Sequence, residues 1–187
     1  MGIDCIDLYW LHRDDPRLPV GEIVDCLNAE VAAGRIRYFA GSNWSGERLQ
    51  EANDYAAKKG VQGFVANQPC WSAGSKPMGR TMRALTVEDW EFHQRSGMPV
   101  IPYSPTAQGY FATNGERGKA YDLPENRERL AKVNAVAKRI GATPNQVALA
   151  WLLAQPFPVI PILGTTKLDH LLDALGAADI EIDLAEF

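Results

Sequence analysis

Residues 34–44 read GRIRYFAGSNW, a β-rich run that ends in a polar Ser-Asn pair. The β-branched and aromatic side chains of this run predict a strand. The runs that predict strands are, in chain order, Cys5–Leu11, Arg35–Ala40, Gly63–Asn67, Pro99–Tyr103 and Phe157–Pro161. Longer helix-patterned segments separate them, and this alternation is typical of a parallel α/β sheet.

A predicted helix follows each predicted strand. The helix-patterned segments are Val20–Ala33, Gly46–Lys59, Thr86–Ser96, Arg127–Gln155 and Lys167–Leu175. The long fourth segment breaks at Gly141, because Thr143 and Gln146 form a capping box and Pro144 falls at the first helical position. The fourth segment therefore predicts two helices.

Five parallel strands fit either a doubly wound open sheet or an arc of a barrel. An open sheet that binds dinucleotides carries G-x-G-x-x-G after its first strand, but the turn after Leu11 reads His-Arg-Asp-Asp-Pro. The open dinucleotide-binding sheet is therefore disfavoured. Two polar stretches, Ser72–Arg83 and Thr106–Glu125, lie where functional loops after a strand are expected.

The composition argues against several classes of partner. With 46% hydrophobic and 22% charged residues, the 187-residue chain fits one globular domain. A net charge of -4, with Lys58-Lys59 as the longest basic run, offers no surface for nucleic acid or an anionic membrane. No stretch approaches the roughly 18 apolar residues of a membrane span.

The three cysteines are an odd number and form no CxxC pair: Cys5, Cys26 and Cys70. They predict neither a disulfide framework nor a metal site, and they favour a reducing cytoplasm. Each is expected to be a small buried side chain. His93 is expected on an exposed helix surface, and the tryptophans fit a substrate pocket and a core equally well: Trp10, Trp44 and Trp71.

Polar motifs end the predicted strands in a fixed order. They are His12, Ser42-Asn43, Asn67-Gln68, Tyr103-Ser104-Pro105 and the segment 160–166, which reads IPILGTT. In this order they resemble the aldo-keto reductases over practically the whole chain. The resemblance implies an α/β fold of the TIM (β/α)8-barrel type, present in part, with about five βα units of eight. Residues 1–187 would form a single partial barrel domain, truncated at both ends relative to the family, with Met1 at an internal family position.

The resemblance also implies the site residues. His12 takes the place of the histidine that hydrogen-bonds the substrate carbonyl, and it is the one catalytic-type residue carried over. The residues expected to bind the cofactor, NADP or NAD, are Ser42, Asn43, Gln68, Tyr103, Ser104, Gly164, Thr165, Thr166, Lys167 and His170. No metal is expected.

The chemistry of these side chains agrees with such a site. Ser42, Asn43 and Gln68 supply donors and acceptors suited to the carboxamide of nicotinamide. Tyr103 can stack on a planar heterocycle, although plain barrel lining is the alternative. The Gly-Thr-Thr turn offers backbone N–H groups to a phosphate, and Lys167 adds positive charge.

The sequence also departs from the family pattern. The family's catalytic aspartate, tyrosine and lysine come from its first three strands, and none of the six tyrosines here stands in their motif. His170 stands where arginine is common, although a solvated helix position is an equal alternative for it, and Ala174 stands where many members have asparagine. The choice between NADP and NAD therefore stays open.

The sequence thus predicts an NAD(P)H-dependent oxidoreductase that reduces small aldehydes or ketones, or a truncated fragment of one that is inactive alone. The alternative is a non-catalytic cofactor-binding or assembly module. An arc of five strands would leave two strand edges unpaired, so a homo-oligomer is expected. Nucleic acid and membrane partners are not.

Overall fold

The computed structural model describes residues 2–187; Met1, with its predicted internal position, lies outside the described residues. Three strands form one parallel sheet in the order β1 (Ile6–Leu11), β2 (Ile36–Ser42) and β3 (Asn67–Gln68). The first two strands match the sequence prediction closely. The pairing of β2 with β3 places Ser42, the last residue of β2, opposite Gln68, the last residue of β3.

The helices follow the predicted order. They are α1 (Val20–Ala32), α2 (Gly46–Lys59), α3 (Val87–Ser96), α4 (Pro124–Ile140), α5 (Pro144–Leu153) and α6 (Leu168–Leu175). Four short 3-10 turns cover Ala107–Gly109, Lys119–Tyr121, Gly176–Asp179 and Leu184–Glu186. No helix within residues 2–187 combines the length and the apolar character that a bilayer crossing needs.

The break between α4 and α5 confirms the capping prediction. Gly141 ends α4 in the left-handed region, with φ of 72°. The Thr143 hydroxyl accepts a hydrogen bond from Gln146 N at 3.1 Å, and Gln146 Oε1 accepts one from Thr143 N at 3.0 Å. Both backbone donors at the start of α5 are therefore satisfied locally.

The chain divides into two compact units. Unit 1 comprises Met1–Pro69 and Arg80–Val100, and unit 2 comprises Cys70–Gly79 and Ile101–Phe187. The sheet belongs to unit 1, where α2 packs against α1 and α3. Its buried core consists of Val20, Val24, Leu27, Ile36, Phe39, Trp44, Leu49, Ala52, Ala56, Phe64, Phe92 and Met98. Trp44 is therefore a buried residue of this core.

Unit 2 is mainly helical. In it α5 packs against α4 and α6. One buried cluster comprises Ala73, Ala107, Tyr110, Phe111, Tyr121, Val133, Val136, Ala137, Val147 and Ala148. A second comprises Leu149, Leu152, Ala174 and Ala177, with Trp71 packed against it. The Trp71 ring lies 5.5 Å from that of Trp151, so this tryptophan also serves packing.

The last two strand predictions are wrong. Pro99–Tyr103 contributes only isolated bridges, from Val100 to Asn67 and from Tyr103 to Cys70, and Phe157–Pro161 contains a single bridge residue. Prolines occupy both segments and cannot donate to a ladder. The third predicted strand, Gly63–Asn67, shares only Asn67 with β3, which continues to Gln68.

Two burial predictions are also wrong. His93 is fully buried, because its face of α3 turns inward: Nδ1 lies 2.9 Å from Met98 O, and Nε2 lies 3.1 Å from Asn67 Nδ2. Cys26 is exposed on α1, and only Cys70 of the three cysteines is buried. The residue types alone did not reveal which helix face packs inward.

We expect His93 to make the stability of the protein sensitive to acid. Burial lowers the pKa of His93 below its ordinary value of 6.5. Below that pH the unfolded chain takes up a proton that the folded chain refuses, so stability is lost as pH falls through this region. Urea unfolding at pH 7.5 and pH 5 should show a smaller stability loss in His93→Gln than in the parent. His170→Gln, which removes an exposed histidine, is the control and should keep the parent's pH dependence.

Candidate functional site

A strand-end cluster in unit 1 consists of His12, Ser42, Asn43 and Gln68. These residues end or follow β1, β2 and β3, and parallel strands present their carboxyl ends at one edge of a sheet. The Gln68 carbonyl accepts hydrogen bonds from Ser42 Oγ at 2.9 Å and Asn43 N at 3.1 Å. Asn43 Nδ2 donates to His12 O at 3.0 Å. The structure therefore brings together four of the residues that the sequence predicts.

The side chains of this cluster differ in their burial and in their hydrogen bonds to the rest of the protein. Ser42 is buried, and its hydroxyl also accepts from Asn43 Nδ2 at 3.1 Å. Gln68 is half-buried, and the hydrogen bonds that it accepts within residues 2–187 are to its backbone carbonyl, which leaves its carboxamide without a partner there. The His12 ring is exposed. The cluster thus presents a free amide and an imidazole beside a fixed hydroxyl.

The loop after β1 is held by Arg48 of α2. Its guanidinium donates to Asp14 Oδ2 at 3.1 Å and to the carbonyl of Leu18, and it lies 5.7 Å from the centre of the Trp44 ring. Burial raises the pKa of Asp14, while its contacts with Arg48 oppose the rise. Arg48 therefore fixes the loop that follows His12.

Tyr103 and Ser104 lie in unit 2. Tyr103 O accepts from Trp71 N at 3.3 Å, and its side chain interacts with the Cys70 thiol. Ser104 adopts a left-handed backbone conformation with φ of 55°, which is uncommon for a residue other than glycine. Its carbonyl accepts from Ala107 N at 3.0 Å and begins the tight turn that follows.

A loop cavity of about 580 Å³ lies in unit 2. Its lining residues are Thr106, Gln108, Gly109, Ala112, Thr113, Glu116, Arg117, Asn145, Leu163, Gly164, Thr165, Lys167, His170, Asp173 and Ala174. Four predicted residues line it: Gly164, Thr165, Lys167 and His170. Thr166, also predicted, does not, although it is exposed next to them.

The predicted site residues did not include those between Thr106 and Arg117 that line this cavity. Arg117 is the most informative omission, since it adds a second cation to that of Lys167. The Thr106–Glu125 stretch was expected to be functional, but no spacing within it points to Arg117. Only the folded loop brings this residue to the cavity.

The charged side chains that line the cavity differ in whether other residues of the protein bind them. Asp173 accepts from Thr143 Oγ1 and Asn145 Nδ2, both at 2.8 Å. Within residues 2–187, Lys167 and Arg117 form no ion pair with a carboxylate. Neither cation is therefore neutralised by a direct ion pair, although Glu116 and Asp173 line the same cavity.

A buried cluster around Cys70 offers no reactive group. The Cys70 sulfur lies 3.8 Å from the Tyr121 hydroxyl, and burial raises the pKa of both side chains. A thiol and a phenol that resist ionisation are poor nucleophiles and poor proton donors. Metal chemistry has no evident position either, since no three His, Cys, Asp or Glu side chains gather as ligands within residues 2–187.

The family model described as "Aldo/keto reductase family" matches residues 1–187. The chain belongs to this family. It is 29% identical to probable aldo-keto reductase 1 of Glycine max, with 97% of this chain and 53% of the relative covered. It is 31% identical to the uncharacterized oxidoreductase YrpG of Bacillus subtilis (strain 168), with 96% and 56% covered. The predicted family membership is confirmed.

The aldo-keto reductase fold is also confirmed at the level of class. A crystal structure of the thermostable aldo-keto reductase Tm1743 with the inhibitor epalrestat matches with a TM-score of 0.72 and 29% identity. The match covers 98% of this chain and 58% of the other, and it implies a TIM-barrel-type α/β fold. The chain spans about half the length of the curated relatives it matches. Members of this oxidoreductase family generally bind NAD(P)H and act on small carbonyl compounds.

We expect Arg48→Ala to destabilise the protein in a pH-dependent way. Without Arg48 the pKa of Asp14 rises further, and stability is lost as pH rises through that value. Denaturant unfolding should show a loss of about 2 kcal/mol at pH 7 and a smaller loss near pH 4. The double variant Arg48→Ala/Asp14→Asn should recover stability at pH 7. The exposed Arg95→Ala is the control, and an equal loss in it would contradict a specific role for Arg48.

Proposed function

We propose that this chain is an NAD(P)H-dependent oxidoreductase, or a portion of one, that reduces small aldehydes or ketones. Residues 1–187 would correspond to the fourth to eighth βα units and form a single partial barrel domain. The strand-end cluster carries the proposal, because His12, Ser42, Asn43 and Gln68 occupy one sheet edge with direct hydrogen bonds among them. Chemistry in TIM-type barrels gathers at this edge.

The strand-end cluster fits a nicotinamide carboxamide. That group carries one N–H₂ and one C=O, and it requires both an acceptor and a donor. The Gln68 side chain offers both and has no protein partner within residues 2–187. The Ser42 hydroxyl donates to Gln68 O, and this bond fixes its position within the cluster.

The loop cavity fits a phosphate-bearing part of the cofactor. Its volume of about 580 Å³ lies within the range of roughly 300–1,000 Å³ that small-molecule sites occupy. Lys167 and Arg117 supply two positive charges to it. We infer NADP over NAD from these two cations, because within residues 2–187 they form no ion pair with Glu116 or Asp173 of the same lining and can bind the additional phosphate of NADP. The related aldo-keto reductase yakc of Schizosaccharomyces pombe, 28% identical over 97% of this chain, has NADP(+) in its name.

In the proposed reaction Ser42, Asn43 and Gln68 would hold the nicotinamide end of the cofactor, which would supply the hydride for the carbonyl carbon when bound. The exposed His12 ring can donate a hydrogen bond to the substrate oxygen. Tyr103 would stack its ring on a planar part of the cofactor. Tyr121 cannot protonate the oxygen, because it is buried and burial raises its pKa. We therefore propose that the family's catalytic tyrosine, which donates the proton, and the aspartate and lysine that act with it are not among residues 1–187.

The chain alone is then expected to bind cofactor with little turnover, since a missing general acid costs about 10²- to 10⁴-fold in rate. Its three free thiols are compatible with a reducing cytoplasm, which we propose as its location. Titration with NADPH and NADH, followed by tryptophan fluorescence and melting temperature, tests the binding proposal. Saturable NADPH binding supports it, and a folded chain that binds neither nucleotide contradicts it.

Tyr103→Ala should weaken NADPH binding by about tenfold, since stacking on an aromatic ring contributes roughly 1 kcal/mol or more. Tyr103→Phe keeps the ring and loses only the hydroxyl that faces Cys70. It is the matched control and should bind NADPH almost as the parent does. Equal affinities in Tyr103→Ala and the parent would show that the ring does not stack on the cofactor.

A non-catalytic assembly module is the second candidate, and exposed apolar side chains favour it. In unit 2, Leu168, Leu172 and Leu175 are 70%, 60% and 56% exposed at spacings of four and three residues, which places them on one face of α6. In unit 1, Tyr38 of β2 is 53% exposed. Such surfaces favour association.

We expect Leu168→Gln/Leu172→Gln to shift the protein toward monomer, as measured by light scattering over a concentration series. Glu47→Gln/Gln50→Glu on the exposed face of α2 exchanges one charge between two surface positions and is the control. A parent chain that stays monomeric at every concentration would contradict the assembly proposal.

A further inference from the structure

Asn43 is held in a single orientation by groups on three sides. Its backbone is left-handed, with φ of 61°. Its Oδ1 accepts a hydrogen bond from Arg83 N at 2.9 Å, and its Nδ2 donates to His12 O at 3.0 Å and Ser42 Oγ at 3.1 Å. The amide oxygen thus faces the segment before α3, and the amide nitrogen faces the strand ends.

The side chain of Arg83, whose backbone N–H binds Asn43, is itself bound at two points. The Arg83 guanidinium binds the Asp89 carboxylate through two bonds, Nε to Oδ2 at 3.1 Å and Nη2 to Oδ1 at 3.2 Å. Such two-point pairs fix geometry as well as charge. Asp89 lies in the first turn of α3 and is only 3% exposed, so this end of the pair is anchored inside unit 1.

The same carboxylate also fixes the turn on the other side of Asn43. Asp89 Oδ1 accepts from Gly46 N at 2.7 Å, and Asp89 Oδ2 accepts from Thr86 N at 3.1 Å. Gly46 begins α2 three residues after Asn43. A Cβ at Gly46 would lie 2.8 Å from Phe92 Cβ, so α3 approaches this turn too closely for any larger residue. One buried carboxylate therefore ties Arg83, the α3 N-terminus and the 43–46 turn together.

We propose that Asp89 is a positioning residue for the strand-end cluster. Through Arg83 and Gly46 it holds the Asn43 carboxamide in the orientation that keeps His12 and Ser42 in place. If the proposed cofactor site is correct, loss of the Asp89 carboxylate impairs binding of the nicotinamide end of the cofactor. The adenosine end, proposed to lie in the loop cavity of unit 2, is unaffected.

The test compares two nucleotides and two variants. Asp89→Asn removes the charge and keeps the size, and Glu91→Gln does the same at an exposed carboxylate of α3. The expected result is a tenfold or greater loss of NADPH affinity in Asp89→Asn, with affinity for 2'-phospho-ADP-ribose, which lacks the nicotinamide, unchanged. Equal loss for both nucleotides, or unchanged NADPH affinity, would overturn the proposal.

Further variants separate positioning from folding. If Asp89→Asn does not fold, Arg83→Ala replaces it, and Arg83→Lys should restore only part of the NADPH affinity because it lacks the two-point contact. In an Asn43→Ala background, loss of the Asp89 carboxylate should cause no additional loss, since its effect passes through Asn43. Additive losses would show that Asp89 acts by another route.

A readout without nucleotide keeps this inference distinct from the proposed function. Amide hydrogen exchange at residues 43–46 should be faster in Asp89→Asn, or in Arg83→Ala, than in Glu91→Gln, with exchange in α1 unchanged. If the parent binds neither nucleotide, the cofactor proposal fails, while faster exchange confined to this turn still supports positioning by Asp89. Unchanged exchange at 43–46 refutes the positioning role.

Discussion

The parallel pairing of β1 with β2 and of β2 with β3 is the constraint on which the strand-end cluster depends. Parallel strands need a return segment between them, so their carboxyl ends meet at one edge. At that edge the carbonyl of Gln68 accepts from both Ser42 and Asn43. A shift of one residue in register would move the Ser42 side chain to the other face of the sheet, away from the Gln68 carbonyl. The geometry of the cluster is thus a consequence of the strand register.

The sequence predicted the features that local chemistry determines. The capping box of Thr143 and Gln146 located the start of α5, and Gly141 located the end of α4, because both act within a few residues of themselves. The first two strands were predictable from their apolar runs. The residues of the strand-end cluster were predicted too, from the order in which polar motifs follow the predicted strands.

Features that depend on distant contacts were not predictable from sequence. Apolar runs between prolines resembled strands, yet Pro99 and Pro102 leave few donors for a ladder. His93 precedes Gln94 and Arg95 in a helix of mixed polarity, and the packing of α3 buries it. Arg117 lies some fifty residues from Lys167 along the chain, and the folded loop alone brings it to the same cavity. The residue type determines the chemistry of each side chain, whereas tertiary contacts determine its position and burial.

Each of the two proposed binding regions contains a strained backbone position, Asn43 in the strand-end cluster and Gln108 in the loop cavity. The five residues other than glycine with positive φ among residues 2–187 are Asn43, Ser104, Ala107, Gln108 and Asn114. None lies in an α-helix or a strand. Each such conformation costs about 1–3 kcal/mol and persists where its surroundings determine it fully. At Asn43 the surroundings are hydrogen bonds to His12, Ser42 and Arg83, whereas the helices of unit 1 are held by apolar packing. Because different forces hold the loops and the core, a change in the polar contacts can alter binding without unfolding the protein.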